Sequence, residues 1–362
     1  QLTEQHEAVR NAMLAGDASY QNFYRCGDQA VDGNWGQVAP GKYCYYSFGP
    51  QSGLPDLNYD EPAVRSEIKK VADFWLNLGV DGFRLDVAQD IGDGNDGYSV
   101  AWWQEFSTHV KLMKPDAFII GEVNYDNPSD SAKIAPFLTG MNATFNCPLY
   151  NELVTAAAGL PKDLLATLNP IRAQYQAANP DFADGLVIGN HDRNRIASEL
   201  NFIDSKIRRA VTWQMTLPGT PFLYYGDEIG MRGGHDLPGD PHQRHPFDWY
   251  AAGDGQGMAT MTKAVYGAEA KNQIPFDGIS LEEEQAAPDS LYHYYRQLIH
   301  LRKDNPILFN GHYQRVGTPQ GTYGYQVTDS QADYNLLVVH NIDTAQSRDL
   351  LATTKTTERL RN

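Results

Sequence analysis

Acidic side chains stand at the ends of three segments whose apolar residues predict buried strands. DGFRLDV places Arg84 two residues before Asp86, AFIIGEV brings Glu122, and GLVIGNHD ends in His191 and Asp192. Charges this close together are unusual in a strand that only fills a core. Because the carboxyl ends of parallel strands meet at one edge of a sheet, we expect these groups to form one site.

Two carboxylic acids in different environments are what a glycosidase requires. Arg84, on the same strand face as Asp86, would keep Asp86 ionised and available as a nucleophile. Glu122 follows an apolar strand and would face other carboxylates, which favours a protonated general acid. The alternative is that each acid only caps a helix or makes a surface ion pair, but their occurrence on three separate strands favours a common site.

The segments around these acids alternate between helical and extended patterns. Apolar residues recur at helical spacing between 64 and 78, with Asp60 as the predicted N-cap and Gly79 as the stop. Repeated strand-then-helix units predict parallel strands covered by helices, in a doubly wound sheet or an eight-stranded barrel. The other predicted helices are 101–113, 164–177, 206–216 and 291–303, and the predicted strands are 79–87, 116–123, 142–149, 185–190 and 221–226.

Three segments depart from this alternation. Residues 1–59 are rich in Gly, Tyr, Asn and Asp and predict an irregular subdomain. The chain after about residue 305 alternates and turns like a small antiparallel β domain. Residues 232–281 are dense in Gly, Asp, His and Pro, and a loop this long in a compact domain is usually functional.

Composition limits the partners. The chain has 362 residues and a net charge of −16. Such acidity argues against nucleic acid and anionic membrane surfaces and suits a neutral substrate. No apolar run approaches the length of about 18 residues that a membrane span needs, and the oligomeric state stays open.

The cysteines bear on the compartment. Cys26 and Cys44 flank a Gly-rich, aromatic segment and form either a disulfide, if the protein is exported, or two thiols in a loop. Cys147 stands in an apolar run and is predicted to be a small buried side chain. The compartment stays open, with an extracellular or periplasmic location favoured.

The order and spacing of these motifs resemble a known family. DGFRLD, the strand ending in GEV, and GNHD match the ordered motifs of the α-amylase superfamily of retaining α-glucan hydrolases. LPDLNY resembles the end of that family's irregular B domain, LPGTPFLYYGDEIGM its last barrel strand, and GDPHQRHPFDW the loop that follows. The resemblance implies a (β/α)8 TIM-type barrel with a B subdomain and a C-terminal antiparallel β domain.

The resemblance also implies the catalytic roles. Asp86 would be the nucleophile that forms a β-glycosyl-enzyme. Glu122 would protonate the leaving oxygen and then act as the base for water. Asp192 would bind sugar hydroxyls in the distorted, oxocarbenium-like transition state. The carboxyls of Asp86 and Glu122 would then lie about 5–5.5 Å apart.

Four further residues are implied in substrate binding. Arg84 would hold and polarise Asp86, and His191 would hydrogen-bond the same sugar. Asp240 and Arg244 would grip the sugar at or one unit beyond the cleavage point. From the residues alone, Asp240 and Arg244 could equally form a salt bridge within a loop.

Two departures from the family pattern affect what can be expected. The family's barrel begins with three strands and an Asn-His motif, and QLTEQHEAV resembles the sequence just after them; we therefore expect these strands to belong to a longer protein or another chain. Many α-amylases have Lys-His where this chain has Gln89 and Asp90, which leaves a sugar contact and a calcium site open. Asp56 matches a family calcium ligand or caps a turn; the chemistry itself implies no cofactor.

The predicted function is hydrolysis of α-1,4-glucosidic bonds in starch, maltodextrin or malto-oligosaccharides with retention. GNHDRNRIAS looks more like the α-glucosidases, HPFDWY looks like certain bacterial α-amylases, and Val87 is compatible with α-1,6 cleavage. The alternatives are an α-glucosidase or oligo-1,6-glucosidase, a transglycosylase, and a non-catalytic relative. The complete set of three acids argues against the last.

The predicted domains follow from the same resemblance. Residues 1–59 form the B-like subdomain and the lead-in to the fourth barrel strand. Residues 60–304 form the later strands and helices of the catalytic barrel, and 305–362 form part of the C-terminal β domain.

Overall fold

A computed structural model describes residues 11–12, 14–17, 22–92, 95–160, 162–233, 243–253, 275–329, 332 and 334–342. The chain divides into two compact units: residues 1–124 with 136–142, and residues 125–135 with 143–362. Each unit carries parallel strands with helices between them. The predicted limits at 59/60 and 304/305 stay a prediction.

The first unit starts with a three-stranded antiparallel sheet in the order β1–β3–β2 and continues into a parallel pair of strands, β4 and β5. Cys26 lies directly opposite Cys44 in this antiparallel sheet, and the two form a disulfide. This settles the alternative that the sequence left open. The elements of this unit are β1 Cys26–Gly27, β2 Trp35–Ala39, β3 Lys42–Tyr45, α1 Pro62–Asn77, β4 Gly82–Leu85, α2 Asp96–Met113 and β5 Phe118–Gly121.

Helix α1 begins one residue later than its predicted cap implies. Glu61, not Asp60, is the N-cap, and its carboxylate accepts a hydrogen bond from the Ala63 amide at 3.4 Å. Asp60 was therefore the wrong cap. Pro62 occupies the first turn, where its missing N–H costs nothing. Gly79 has φ +98°, the left-handed conformation that ends helices, as predicted.

Close approach of two strands fixes one glycine. β4 pairs with β5 in parallel register from Gly82 opposite Phe118 to Leu85 opposite Gly121. A Cβ atom on Gly82 would overlap the Phe118 carbonyl oxygen, so only glycine fits at this position. The pairing places the residues after Leu85 and after Gly121 at the same end of the two strands.

The second unit contains three parallel strands followed by an antiparallel sheet. β6 pairs with β7 and β7 with β8, and the C-terminal strands run in the order β11–β10–β9. The antiparallel sheet confirms the prediction for the chain after 305. The elements are α3 Ser131–Ile134, β6 Ala143–Phe145, α4 Cys147–Ala157, α5 Leu164–Ala178, β7 Ala183–Leu186, α6 Ile196–Glu199, α7 Asp204–Thr216, β8 Thr220–Pro221, α8 Leu281–Ala286, α9 Leu291–Asp304, α10 Ile307–Asn310, β9 His312–Val316, β10 Thr322–Thr328 and β11 Leu336–Asn341.

Three strands end earlier than the apolar pattern predicts, and polar side chains bind the backbone where they end. The strand predicted over 142–149 stops at Phe145, because Asn146 caps α4 by accepting from the Leu149 amide at 3.2 Å. The strands predicted over 185–190 and 221–226 were also misplaced. The Gln214 side chain donates to the carbonyls of Leu186 and Phe222 at 3.0 and 2.9 Å, where the ladder between β7 and β8 ends.

The core of the second unit lies between these helices and the C-terminal sheet. Trp213 on α7 is buried and stacks on His340 of β11 with ring centroids 3.5 Å apart. Tyr325 is fully buried beside them, and its hydroxyl donates to Thr216 Oγ1 at 2.7 Å. Cys147 is buried at the start of α4, as predicted. Among the described residues, no helix combines the length and apolar character needed to cross a bilayer.

The disulfide should stabilise the first unit by restricting its unfolded chain. Cys26 and Cys44 are 18 residues apart. We expect a Cys26→Ser/Cys44→Ser variant of the full-length protein to lose about 3 kcal/mol of unfolding free energy, because a loop of this length closes at that entropic cost. Urea unfolding measures the loss. A reductant should reproduce it in the wild type and leave the variant unchanged; equal midpoints in all samples would contradict the expectation.

Acid should destabilise the C-terminal sheet through His340. Burial, and secondarily the charge of Arg209, lower the pKa of His340 to about 3. The unfolded chain takes up this proton near pH 6.5, so the stability that neutral His340 contributes is present above that pH and lost as pH falls towards 3. We expect Tm to fall less steeply between pH 7 and pH 4 in His340→Phe than in the wild type. The same change at His312, which is exposed on β9, should leave the slope unaltered.

Candidate active site

The first group of predicted residues meets at the ends of β4 and β5. Arg84 lies on β4 and Asp86 just beyond it, while Glu122 directly follows β5. One guanidinium contacts both acids: Arg84 Nη1 pairs with Asp86 Oδ1, and Nη2 pairs with Glu122 Oε2 at 2.5 Å. A single positive charge therefore lies between two carboxylates that would otherwise repel each other.

The two carboxylates have different surroundings. The Asp86 side chain is 72% exposed, whereas the Glu122 side chain is 7% exposed. Glu122 Oε2 also accepts a hydrogen bond from the Val87 amide at 3.1 Å. The Glu122 amide donates to the Leu85 carbonyl, and the Glu122 carbonyl accepts from the Ala88 amide. The buried acid is thus fixed in position, while the other acid faces solvent.

Val87 is a contributor that sequence reasoning did not identify. Its φ is +39°, an unusual value for a β-branched residue, and this conformation accompanies the hydrogen bond that its amide donates to Glu122. A valine after an aspartate carries no sequence signal for such a turn. Only a glycine at this position would have suggested it.

Two side chains of helix α2 support this turn by hydrogen bonding to the carbonyls that follow Val87. The buried indole of Trp103 donates to the Ala88 carbonyl at 2.8 Å, and the Ser99 hydroxyl donates to the Gln89 carbonyl at 2.8 Å. The Gln89 side chain accepts from the Asn124 amide at 3.2 Å. Gln89, at the first of the two positions that differ from many α-amylases, is therefore buried and joins the segment after β4 to the segment after β5.

The second group of predicted residues meets beyond β7. His191 Nε2 lies 3.0 Å from Asp192 Oδ2. Arg244 pairs through Nη2 with Asp192 Oδ1 and donates from Nε to the His191 carbonyl at 3.0 Å. Asp192 is 43% exposed at its side chain, so it remains accessible while both of its oxygens have neighbours. Asp240 falls outside the described residues.

The predicted metal ligand has protein partners. Both oxygens of Asp56 contact Ser47: Oδ1 accepts from its amide at 3.0 Å and Oδ2 from its hydroxyl. Among the residues that the structure describes, no group of three or more His, Cys, Asp or Glu side chains is arranged to hold a metal ion. The donor set seen around Asp56 therefore does not by itself make a calcium site.

Comparison with known proteins identifies the class. The α-amylase catalytic-domain family matches residues 3–311. The chain therefore belongs to the α-amylase family, which confirms the predicted (β/α)8 class and the predicted enzyme class, an α-glucan hydrolase or transglycosylase of this family. Members of this family need no cofactor for their chemistry.

Individual relatives agree with this assignment. The chain is 35% identical over 353 residues to alpha-amylase 3 of Dictyoglomus thermophilum, covering 94% of this chain and 67% of the relative. It is 27% identical over 342 residues to a 4-alpha-glucanotransferase of Thermotoga maritima, covering 91% and 72%. The crystal structure of an alpha-amylase from H. orenii superimposes with a TM-score of 0.77 at 31% identity, covering 91% and 66%. The chain thus spans about two thirds of the length of these three relatives.

The bridging guanidinium gives a direct test of the first group. Arg84→Lys keeps the charge but replaces two donor nitrogens in a fixed plane by one ammonium, which cannot hold both carboxylates in the same geometry. We expect kcat to fall by about 10- to 100-fold, the cost of losing one or two charge-assisted hydrogen bonds. Steady-state hydrolysis of a malto-oligosaccharide by the full-length protein measures it.

A second arginine provides the matched control. Arg315 lies on β9, donates to the Gly324 carbonyl and stacks on Tyr323 at 3.8 Å. Arg315→Lys should change stability alone and leave kcat within about twofold of the wild type. An Arg84→Lys variant as active as Arg315→Lys would contradict the bridging role.

Proposed function

We propose that this protein hydrolyses α-1,4-glucosidic bonds of starch, maltodextrin or malto-oligosaccharides with retention of anomeric configuration. The observation that carries the proposal is the pairing of an exposed Asp86 and a buried Glu122 across Arg84. Both carboxylates contact one guanidinium, a spacing compatible with the short separation of a retaining pair, about 5–5.5 Å. An inverting enzyme needs more room, since a water molecule must fit between the two acids and the sugar.

The first half of the reaction uses the two acids in different protonation states. With one positive charge facing two carboxyl groups, a single proton on the pair makes this three-residue group neutral. The retaining mechanism places that proton on Glu122, which must donate it to the leaving oxygen. Asp86 attacks the anomeric carbon as Glu122 protonates the leaving glycosidic oxygen, which leaves a β-glycosyl ester on Asp86.

The second half returns the enzyme to its starting state. Glu122, now ionised, takes a proton from water as that water attacks the anomeric carbon and displaces Asp86. Arg84 stabilises the carboxylate that leaves. Two inversions give net retention.

Asp192 is assigned to the transition state as an acid that binds sugar hydroxyls. The family resemblance and the match over residues 3–311 support this assignment. His191 and Arg244 hold the Asp192 carboxylate on two sides and fix its orientation towards sugar hydroxyls. Asp240 is retained in the proposal as a sugar-binding residue.

Transfer to a sugar acceptor is the second candidate, and a specific relative favours it. The Thermotoga maritima protein that matches 91% of this chain is a 4-alpha-glucanotransferase. The same glycosyl-enzyme serves both reactions, and the outcome depends on whether water or a bound sugar reaches it. Product analysis on maltoheptaose separates them: chains longer than the substrate indicate transfer. The same analysis tests the α-glucosidase alternative, for which glucose alone would be the first product.

The two acids should respond differently to the leaving group. Glu122→Gln cannot protonate a sugar alcohol, so we expect hydrolysis of maltoheptaose to fall by about 10²- to 10⁴-fold. A malto-oligosaccharyl fluoride needs no proton to leave, so the release of fluoride in the first turnover should fall far less, whereas later turnovers slow because Glu122 also activates water. Asp86→Asn should lose activity on both substrates, because no glycosyl ester can form.

A surface acid of the same chain provides a control for these two variants. Glu105→Gln alters a surface acid that pairs with Arg65 and Lys69 and should leave both rates unchanged. Mass spectrometry of the variant Glu122→Gln with the fluoride should detect a glycosyl adduct on Asp86. Equal losses in the first turnover on both substrates, or an adduct on another residue, would refute the assigned roles.

A structural calcium ion near Asp56 is a separate part of the proposal. Carboxylate oxygens are the ligands that calcium prefers, but Asp56 already contacts Ser47, and the described residues add no complete donor set. No step of the mechanism therefore depends on calcium. Thermal unfolding of the wild type and of Asp56→Asn, each with calcium and with a chelator, tests it: a calcium-dependent Tm confined to the wild type supports Asp56 as a ligand.

A further inference from the structure

We infer that Tyr224 and Tyr225 are positioning residues that hold Arg244 against Asp192. The two tyrosines follow β8 and lie in the same compact unit as Arg244 and Asp192. The inference rests on the proposed function, in which Asp192 acts in the transition state. The link runs from the tyrosine hydroxyls to the backbone on either side of Arg244, and no sequence motif indicates it.

The contacts form two matched hydrogen bonds on either side of one residue. The Tyr224 hydroxyl donates to the Gln243 carbonyl at 2.8 Å. The Tyr225 hydroxyl donates to the His245 carbonyl at 2.5 Å. Gln243 and His245 are the two neighbours of Arg244, and both are buried. The backbone is thus fixed immediately before and immediately after the arginine.

Arg244 carries this constraint to the proposed site. Its guanidinium reaches the His191 carbonyl and the Asp192 carboxylate at the same time. An arginine side chain has several rotatable bonds, and a fixed backbone reduces the conformations that must be lost when it orders. Anchoring the peptide on both sides of Arg244 therefore fixes the direction from which Asp192 is held.

The tyrosine rings are themselves anchored by a buried arginine. The guanidinium carbon of Arg195 lies 4.5 Å from the Tyr224 ring centroid and 4.8 Å from that of Tyr225. Arg195 also donates to the Tyr225 carbonyl at 2.6 Å and lies 3.6 Å from the buried carboxylate of Asp227. Such cation–π contacts are strongest when the cation is removed from water, as Arg195 is.

These contacts link the segment that carries Asp192 to the two tyrosines at both of its ends. Arg195 is three residues after Asp192 in GNHDRNR, so the segment that presents Asp192 is held at one end by Arg244 and at the other by Arg195. The same pair of tyrosines contacts the Arg195 guanidinium through its rings and binds the carbonyls on either side of Arg244 through its hydroxyls. The positions of Asp192 and Arg244 are therefore set by one shared element rather than by two independent loops.

Removing only the hydroxyls isolates this function. Tyr224→Phe and Tyr225→Phe keep the rings that contact Arg195 and delete the bonds to the Gln243 and His245 carbonyls. We expect each to lower kcat by about 2- to 10-fold, the range for one hydrogen bond, with KM changed by less than about twofold. Loss in kcat rather than KM is expected because Asp192 acts in the transition state.

A double-mutant cycle with Arg244→Gln decides whether the hydroxyls act through Arg244. In the Arg244→Gln background each Tyr→Phe change should have no further effect on kcat, since the group that it positions is gone. Losses that multiply independently would overturn the inference, as would Tyr→Phe variants with wild-type kcat. A merely structural role would lower Tm without this coupling.

The matched control is a tyrosine with the same bonding elsewhere in the same unit. The buried Tyr313 hydroxyl lies within hydrogen-bond distance of the carbonyls of Thr216 and Leu308, at 3.0 and 2.8 Å. Tyr313→Phe should lower Tm and leave kcat unchanged. If Arg244→Gln itself kept the wild-type kcat, the role assigned to Arg244 would fall, and the inference with it. Asp86→Asn and Glu122→Gln would still judge the proposed reaction independently.

Discussion

The attraction between one guanidinium and two carboxylates is the interaction on which the first half of the proposed site depends. Without Arg84, Asp86 and Glu122 would repel each other whenever both are ionised, and an ionised, buried Glu122 would lack a compensating charge. The guanidinium can serve both acids because its nitrogens lie in one rigid plane with fixed directions. The parallel pairing of β4 and β5 supplies the remaining requirement, since it brings the ends of the two strands side by side.

Backbone control follows the same principle in both units. In the first unit, the Val87 amide and the Trp103 indole fix the turn after Asp86. In the second, hydroxyls of Tyr224 and Tyr225 fix the peptide around Arg244. In each case a backbone or side-chain donor binds an acceptor on a connecting segment. Segments outside helices and strands make few regular backbone hydrogen bonds. Donors from other parts of the fold can therefore fix their positions.

Membership of the α-amylase family narrows the chemistry to α-glucans but not the acceptor. An alpha-amylase and a 4-alpha-glucanotransferase are both among the relatives that match more than nine tenths of this chain. Both reactions can proceed through one glycosyl-enzyme, so the proposed catalytic acids cannot distinguish them. The distinction depends on how the second substrate is bound, and therefore on other groups than these acids.

The sequence alone determined the class of the protein and predicted which acids form its site. The motifs DGFRLD, GEV and GNHD carry the residue types that the chemistry needs, and helix periods located five of the ten α-helices in the described residues, because an apolar face repeats every three to four residues. Pairing of Arg84 with Asp86 was also predictable, since residues two apart on a strand share a face.

Only the tertiary structure decided how those residues are held. That Arg84 also binds Glu122, that Val87 adopts a positive φ, and that tyrosine hydroxyls bind the neighbours of Arg244 all depend on contacts between residues distant in sequence. Strand ends were misplaced for the same reason: the Gln214 side chain binds carbonyls at the end of a ladder, and local apolarity carries no record of such a partner. Composition and period report which side chains prefer burial, whereas a hydrogen bond requires two particular groups to meet, and the fold alone brings them together.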